Sequence, residues 1–229
     1  MKNQRLTILI ITSLCLGFLM ACSSSGGGSS DSDNMTVAED NQTSADNTTT
    51  NVTDPLADLQ GNWSTSCQPG TGVYELWTYK VTGTDAVQEF GLYQDSDCST
   101  PLGKRTETYS GIAVGDNVTV LFEGTSLEPA SGYRFTAMAT GATATAHVAD
   151  LLNEFQNENV CEMNWELDVP NDVSGKTCSS TSIGTINFLP KDQTGYNNFT
   201  IVNDKLYVGY PRFGGTYSDS VWGWSYTKQ

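Results

Sequence analysis

The sequence predicts an all-β domain of antiparallel strands with one short helix, and two observations carry that prediction. From about residue 56 onward, short stretches rich in Val, Thr, Tyr, Phe and Trp are separated by pairs of Gly, Asp and Asn. This pattern of composition is typical of strands joined by tight turns. In "NFTIVNDKLYVGY" the apolar side chains recur at every second residue, with Phe199 and Ile201 before the turn and Leu206 and Val208 after it. Strands of this kind bury one face and leave the other in water.

The strands are expected to follow one another as an antiparallel series. Tight hairpin turns are predicted at "VGDN" (114–117) and "VNDK" (202–205), because each lies between two alternating runs. One segment departs from period two: apolar residues between 148 and 155 recur at helical spacing, which predicts a helix over 149–156. The predicted strands cover 61–67, 73–82, 86–94, 104–114, 117–123, 133–140, 143–148, 161–169, 183–189, 198–202, 205–210 and 221–226.

The first 22 residues are typical of a secretory signal, with two basic residues, an apolar run and small residues at the cleavage site. "LMAC" resembles a bacterial lipobox, in which the cysteine is diacylated and becomes the mature N-terminus, and Cys22 matches the modified position. A transmembrane anchor and a signal that leaves an ordinary cysteine are the alternatives, but the apolar run is shorter than the ~20 residues of a spanning helix. More than one acyl chain on Cys22 would anchor the protein stably. Ser23 in the next position, in place of Asp, implies the outer membrane or surface of a Gram-negative envelope.

Residues 23–55 are predicted to be a flexible acidic tether of Ser, Gly, Asn and Thr, and residues 56–229 a single domain. A flexible chain of that length spans roughly 30 Å. The formal charge of −15 becomes −17 once Lys2 and Arg5 leave with the signal. This charge argues against a nucleic-acid partner. The acidity is most simply explained by solubility, and the alternatives are a cationic partner or surroundings rich in divalent ions. We expect a monomer.

Four cysteines remain in the domain, and their even number outside the cytoplasm predicts disulfides. Three pairings are possible, of which we favour the two local ones, Cys67 with Cys98 and Cys161 with Cys178. A zinc site is the competing interpretation. It is disfavoured because the spacings contain no C-x-x-C and the chain has a single histidine.

The stretch "DLQGNWSTSC", with Gly61 and Trp63, is similar to the opening of a lipocalin-type barrel. In that superfamily a short helical turn precedes a Gly-x-Trp whose indole closes one barrel end beneath a basic side chain from a late strand. Here Arg212 and Lys228 are the two candidates for that basic residue. "YQDSDC" (93–98), "WELDVPNDVSGKTC" (165–178) and "KLYVG" (205–209) extend the resemblance to small lipocalin-like lipoproteins of Gram-negative bacteria. The resemblance implies an up-and-down lipocalin-like β-barrel; a β-sandwich is the alternative.

The sequence offers no catalytic or metal constellation, and we expect neither an enzyme nor a cofactor. His147 is the one histidine, and no G-x-S-x-G marks a nucleophile near it or elsewhere. Pairs of carboxylates such as Asp95 with Asp97 are numerous, but in so acidic a chain their number carries little information. The loop that holds this pair does not match an EF-hand, so no metal site is predicted.

Aromatic residues are the candidates for binding. "VYELWTYKV" and "VWGWSYTK" place aromatic side chains two residues apart, hence on one strand face. They are either core or the lining of a lumen or mouth. The candidate lining residues are Trp77, Tyr79, Phe135, Trp222 and Trp224. We expect a non-catalytic envelope lipoprotein that binds a small hydrophobic or amphipathic ligand. The alternative is a protein-interaction or inhibitor module with a filled barrel.

Overall fold

The computed structural model describes residues 54–180 and 184–229. The predicted signal sequence, Cys22 and nearly all of the predicted tether lie outside the described residues. The helical elements are α1 (Pro55–Leu59), α2 (Ala149–Asn157) and a 3-10 turn (Val160–Glu162). The strands are β1 (Gly61–Ser64), β2 (Gln68–Pro69), β3 (Tyr74–Thr82), β4 (Asp85–Tyr93), β5 (Pro101–Glu123), β6 (Ala130–Ala146), β7 (Asn171–Asp172), β8 (Thr177–Ser180), β9 (Gly184–Asn187), β10 (Gln193–Val202), β11 (Lys205–Val208), β12 (Arg212–Phe213), β13 (Ser220–Trp222) and β14 (Tyr226–Lys228).

Eight of these strands form a closed antiparallel barrel, which confirms the predicted fold class. The strand order around the barrel is β1, β3, β4, β5, β6, β10, β11 and β14. β14 pairs with β1, and β10 pairs with β6, so the sheet has no open edge around the ring. Neighbours in the ring follow chain order, as expected for an up-and-down barrel. No helix within 54–180 or 184–229 is long and apolar enough to cross a membrane.

The barrel has one end closed by Trp63, whose indole is only 3% exposed. α1 leads into this end, and the indole Nε1 donates to the carbonyl of Leu59 at 2.9 Å. Trp63 pairs in register with Lys228 of β14, and the ammonium lies 5.2 Å from the indole centroid. The structure thus selects Lys228 as the basic residue over the tryptophan. Arg212 lies on β12, away from this stack.

The glycine of the Gly-x-Trp has two structural reasons to be there. Gly61 has φ of +121°, a conformation that side-chain-bearing residues rarely adopt. A Cβ at this position would also lie 2.8 Å from Cε of Lys228. Glycine therefore lets the lysine stem cross the start of β1 and reach the indole.

Two predicted strand breaks are wrong. The segments 104–114 and 117–123 are one strand, β5, and 133–140 and 143–148 belong to β6. "VGDN" is therefore no hairpin turn. Both sides of it pair with β6, and the register shifts between Val114 and Asn117 as at a β-bulge. "VNDK" is a hairpin turn as predicted: Asn203 and Asp204 both have positive φ between β10 and β11, as a two-residue hairpin loop requires.

Both predicted disulfides are present. Cys67–Cys98 joins the segment after β1 to the loop after β4, and Cys161–Cys178 joins the 3-10 turn to β8. The predicted strand 161–169 is wrong, because Cys161 and its neighbour Glu162 have positive φ and no strand ladder forms there.

The segment between β6 and β10 instead folds over the barrel. The helix predicted there is confirmed as α2. Trp165 donates its indole N–H to the carbonyl of Val160 at 2.8 Å. Both residues belong to the same buried cluster as the barrel residues Ala139 and Ala142. Small side chains on β6 therefore leave room for large side chains of this segment.

Candidate functional site

The end of the barrel opposite Trp63 carries the candidate site, which we call the mouth. Trp77 of β3 pairs with Phe90 of β4, and Phe90 pairs with Arg105 of β5. Directly paired residues of antiparallel strands point to the same face. Tyr79 lies two residues after Trp77 on the same face of β3 and pairs with Trp63 of β1. Both Tyr79 and Trp63 are buried. Trp77, Phe90 and Arg105 therefore form the next layer outward on the inner face.

Five aromatic rings, each in contact with the next, form a row across the mouth. We call this row the aromatic arc. The ring centroids are 6.5 Å apart for Tyr210 and Trp222, 6.3 Å for Trp222 and Trp224, 6.1 Å for Trp224 and Trp77, and 4.5 Å for Trp77 and Phe90. These separations lie within the range of favourable edge-to-face and tilted pairs. Tyr210 is 48% exposed, Trp222 37% and Trp224 44%. One end of the arc is thus embedded in the barrel and the other faces solvent.

The local chain explains why Trp222 and Trp224 face outward. β13 runs parallel to the end of β5, and Val221 is 1% exposed in a small cluster with Phe122 and Tyr207. Because side chains alternate along a strand, burial of Val221 turns Trp222 to the other side. A Cβ at Gly223 would collide with the carbonyl oxygen of Glu123. The glycine lets the chain pass close to β5, which places Trp224 beside Trp222 and Trp77.

A buried polar network lies beneath the arc. Nε of Arg105 lies 3.2 Å from Oε1 of Glu107, and the hydroxyl of Tyr109 donates to Oε2 of the same carboxylate at 3.1 Å. The guanidinium carbon of Arg105 is 5.6 Å from the ring centroid of Trp77 and 5.7 Å from that of Phe90. Such contacts attract a cation to the ring face. The half-buried guanidinium of Arg105 thus compensates the buried carboxylate of Glu107, as burial of charge requires.

Burial also controls the tyrosines of the interior. It raises the pKa of Tyr226 to about 12. It raises the pKa of Tyr109 well above its ordinary value, and the nearby Glu107 carboxylate adds to the effect. Tyr79 is shifted in the same direction, because its pKa is raised by burial and then by Tyr226. These phenols therefore stay neutral at physiological pH and act as hydrogen-bonding groups.

Side chains fill the lumen below the network. The gap bounded by Tyr79, Gln88, Tyr109 and Phe135 has a volume of about 10 Å³, which is the space of about one water molecule. Pockets for small organic ligands are typically several hundred Å³. The surface for contact with other molecules at this end is therefore the arc and not the lumen.

The five sequence-predicted lining residues separate into two groups. Trp77, Trp222 and Trp224 lie together in the arc. Tyr79 and Phe135 are 5% and 4% exposed and form part of the packed interior.

Sequence reasoning missed four participants: Phe90, Tyr210, Arg105 and Glu107. For Arg105 and Glu107 a signal was available, because two opposite charges two residues apart in an alternating strand share one face. Phe90 needed the register of β3 with β4. Tyr210 needed the tertiary fold.

No protein-family model matches the chain, and no curated protein matches it. The geometry of the site therefore carries the functional argument.

His147 follows β6, and its Nδ1 lies 2.7 Å from Oδ1 of Asp168, with no nucleophilic side chain joined to the pair among the hydrogen bonds of the described residues. Within 54–180 and 184–229, no three His, Cys, Asp or Glu side chains are grouped so that they could hold a metal ion. What the mouth can do is stack against apolar or cationic groups and hydrogen-bond at its rim.

One donor at the mouth has no partner. Nε1 of Trp77 is buried and makes no hydrogen bond within the described residues. An unpaired buried donor costs about 1–3 kcal/mol. The packing of Trp77 within the arc therefore leaves one polar group unsatisfied.

Proposed function

We propose that this chain is a non-catalytic lipoprotein of the bacterial envelope, anchored through Cys22, whose aromatic arc binds another protein of the envelope. The observation that carries the proposal is the exposure of Tyr210, Trp222 and Trp224 above a lumen that is filled with side chains. Trp and Tyr, with Arg, are the residues most enriched among those that dominate binding energy at protein interfaces. Contiguous exposed aromatic rings mark interaction surfaces.

The filled lumen favours this alternative over a carrier that encloses its ligand. A small hydrophobic or amphipathic ligand laid across the arc stays a prediction. Native mass spectrometry of the detergent-extracted chain, followed by organic extraction, tests it. A stoichiometric small molecule that is lost in a Trp222→Ala/Trp224→Ala variant would replace the proposed partner with a ligand.

Position-specific cross-linking in cells tests the protein partner. A photo-reactive phenylalanine derivative at Trp222 is compared with the same residue at Lys80, which is exposed on β3 and points away from the inner face. We expect a discrete adduct from position 222 that disappears when Trp224 is replaced by Ala, and none from position 80. Equal adducts from both positions, or none from 222, would refute the arc as the contact surface.

The anchor has a test of its own. Replacing Cys22 with Ala should release the protein from membranes into the soluble fraction, because the thiol that carries the acyl chains is removed. Continued membrane association of Cys22→Ala would contradict the lipid anchor. It would leave the proposal for the arc untouched.

A further inference from the structure

We infer that the segment bound by the aromatic arc is cationic: an arginine- or lysine-bearing stretch of the partner protein, with a guanidinium or ammonium group seated on Trp224, Trp222 and Tyr210. The inference rests on the proposed function and specifies the chemistry of its partner. Three observations support it: the charge of the domain, the rings that no cation of the described residues covers, and two carboxylates beside the arc.

The domain is strongly acidic, and several of its own cations are engaged within it. Residues 54–229 contain 21 Asp and Glu but only 9 Lys and Arg. Among the described residues, Lys104 pairs with Glu89 and Arg105 with Glu107, and Lys228 covers Trp63. A net negative field of this kind draws cationic partners and repels anionic ones.

The chain itself shows how its aromatic rings receive cations. Arg105 lies against Trp77 and Phe90, and Arg134 lies 5.0 Å from the ring of Tyr217. The solvent-facing part of the arc differs, because no cation of the described residues lies over Tyr210, Trp222 or Trp224. Tryptophan is the strongest of the aromatic side chains in this interaction.

Two carboxylates beside the arc have no cationic partner among the described residues. Glu123 pairs in register with Trp222, and its carboxylate accepts a hydrogen bond from the Ser220 hydroxyl. Glu75 lies two residues before Trp77 on the same face of β3, where partial burial raises its pKa. Neither carboxylate lies within ion-pair distance of a Lys, Arg or His among the described residues.

The test measures binding of a labelled peptide of alternating arginine and glycine to the full chain in detergent, by fluorescence anisotropy. Two matched peptides replace arginine with glutamine or with glutamate. We expect the arginine peptide to bind at least tenfold more tightly than the glutamine peptide, and the glutamate peptide not to bind. Affinity should fall as salt rises from low to physiological ionic strength, because the attraction is screened.

Variants then locate the binding. Trp222→Ala and Trp224→Ala should each weaken binding of the arginine peptide roughly two- to fivefold. Glu75→Gln/Glu123→Gln should weaken it several-fold. The matched control is Asp116→Asn/Glu166→Gln, which removes the same two charges at exposed positions outside the arc. The control should bind as the parent chain does.

The outcomes separate the two proposals. Equal loss in the Glu75/Glu123 variant and its control would overturn the inference, because attraction to net charge alone would explain binding. If the glutamine peptide bound as tightly as the arginine peptide and the tryptophan variants abolished both, the cationic specificity would fall while the arc stood as a binding surface. If no peptide bound and cross-linking from position 222 also failed, both proposals would be wrong.

Discussion

Replacement of Trp63 by Ala tests the closed end of the barrel most directly. A buried tryptophan removes roughly 150–250 Å² from water, which at about 25 cal/mol per Å² gives about 4–6 kcal/mol as an upper bound. Measured truncations of buried Phe and Trp cost about 3–5 kcal/mol. Loss of the Nε1 hydrogen bond to Leu59 and of the contact with Lys228 acts in the same direction. We expect the free energy of unfolding to fall by about 4 kcal/mol.

Two further variants separate the contributions to this loss in the free energy of unfolding. Trp63→Phe keeps most of the apolar area but leaves the Leu59 carbonyl unpaired, so the expected loss is about 1–3 kcal/mol. Lys228→Met keeps the side-chain stem and removes the charge. The double-mutant cycle of Trp63→Ala with Lys228→Met, in which each single variant removes the cation–ring contact, should give a coupling of about 0.5–1 kcal/mol, the size of an exposed or half-exposed cation–π contact.

Urea unfolding of the full chain with intact disulfides, followed by circular dichroism, provides the measurement. The midpoint should fall while the slope with denaturant stays constant, as for a change in stability alone. A loss below about 1 kcal/mol in Trp63→Ala, with unchanged slope, would contradict the assignment of Trp63 as the plug of this end, because so small a loss is typical of surface positions.

Three further predictions concern the disulfides and the titrating groups. Replacing both cysteines of either disulfide with Ser should lower stability by about 3–4 kcal/mol, since the closed loops span 31 and 17 residues; a loss below about 1 kcal/mol in urea unfolding would contradict this. Burial raises the pKa values of Tyr79, Tyr109 and Tyr226 above the ordinary 10.0. The folded state therefore binds more protons than the unfolded state above pH 10, and stability must fall as pH rises beyond that value. Spectroscopic titration should show three of the ten tyrosines ionising only as the protein unfolds, and ionisation of all ten before unfolding would refute the burial argument. The pKa of Glu75 is raised from 4.5 by burial, so the folded state also holds this proton more tightly, and stability falls as pH rises from 4.5 through the raised value. Glu75→Gln should therefore be more stable than the parent at pH 7 and no more stable below pH 4. A variant that is less stable than the parent at pH 7 would contradict the upward shift of the Glu75 pKa.

The barrel was predictable because its signals are local. Alternation in β10 and β11 follows from "NFTIVNDKLYVGY", and the Asn-Asp pair between these strands adopts the left-handed conformation that its type favours. The Gly-Asp of "VGDN" carries the same local signal but lies in a bulge of β5. The difference is tertiary: residues on both sides of "VGDN" pair with β6 and do not fold back on each other.

The site was only partly predictable, because its residues come from elements distant in the sequence. Trp77 and Trp224 could be proposed as candidates from alternation, but their contact depends on closure of the barrel between β14 and β1. Whether Tyr79 lines a cavity or fills one depends on the volume of every neighbour in the lumen. Side-chain packing of this kind cannot be read from the period of a single strand.

The pairing of β14 with β1 has a consequence for how the protein is made. Trp63 and Lys228 come from opposite ends of the domain, so the contact that closes the barrel cannot form until residue 228 has been synthesised. Until then β1 and β11 are unpaired sheet edges, which readily join other chains. Strand pairs of such large sequence separation also form slowly. The nascent protein should therefore depend on chaperones, and fusions that obstruct β14 should aggregate during folding rather than lose function after it.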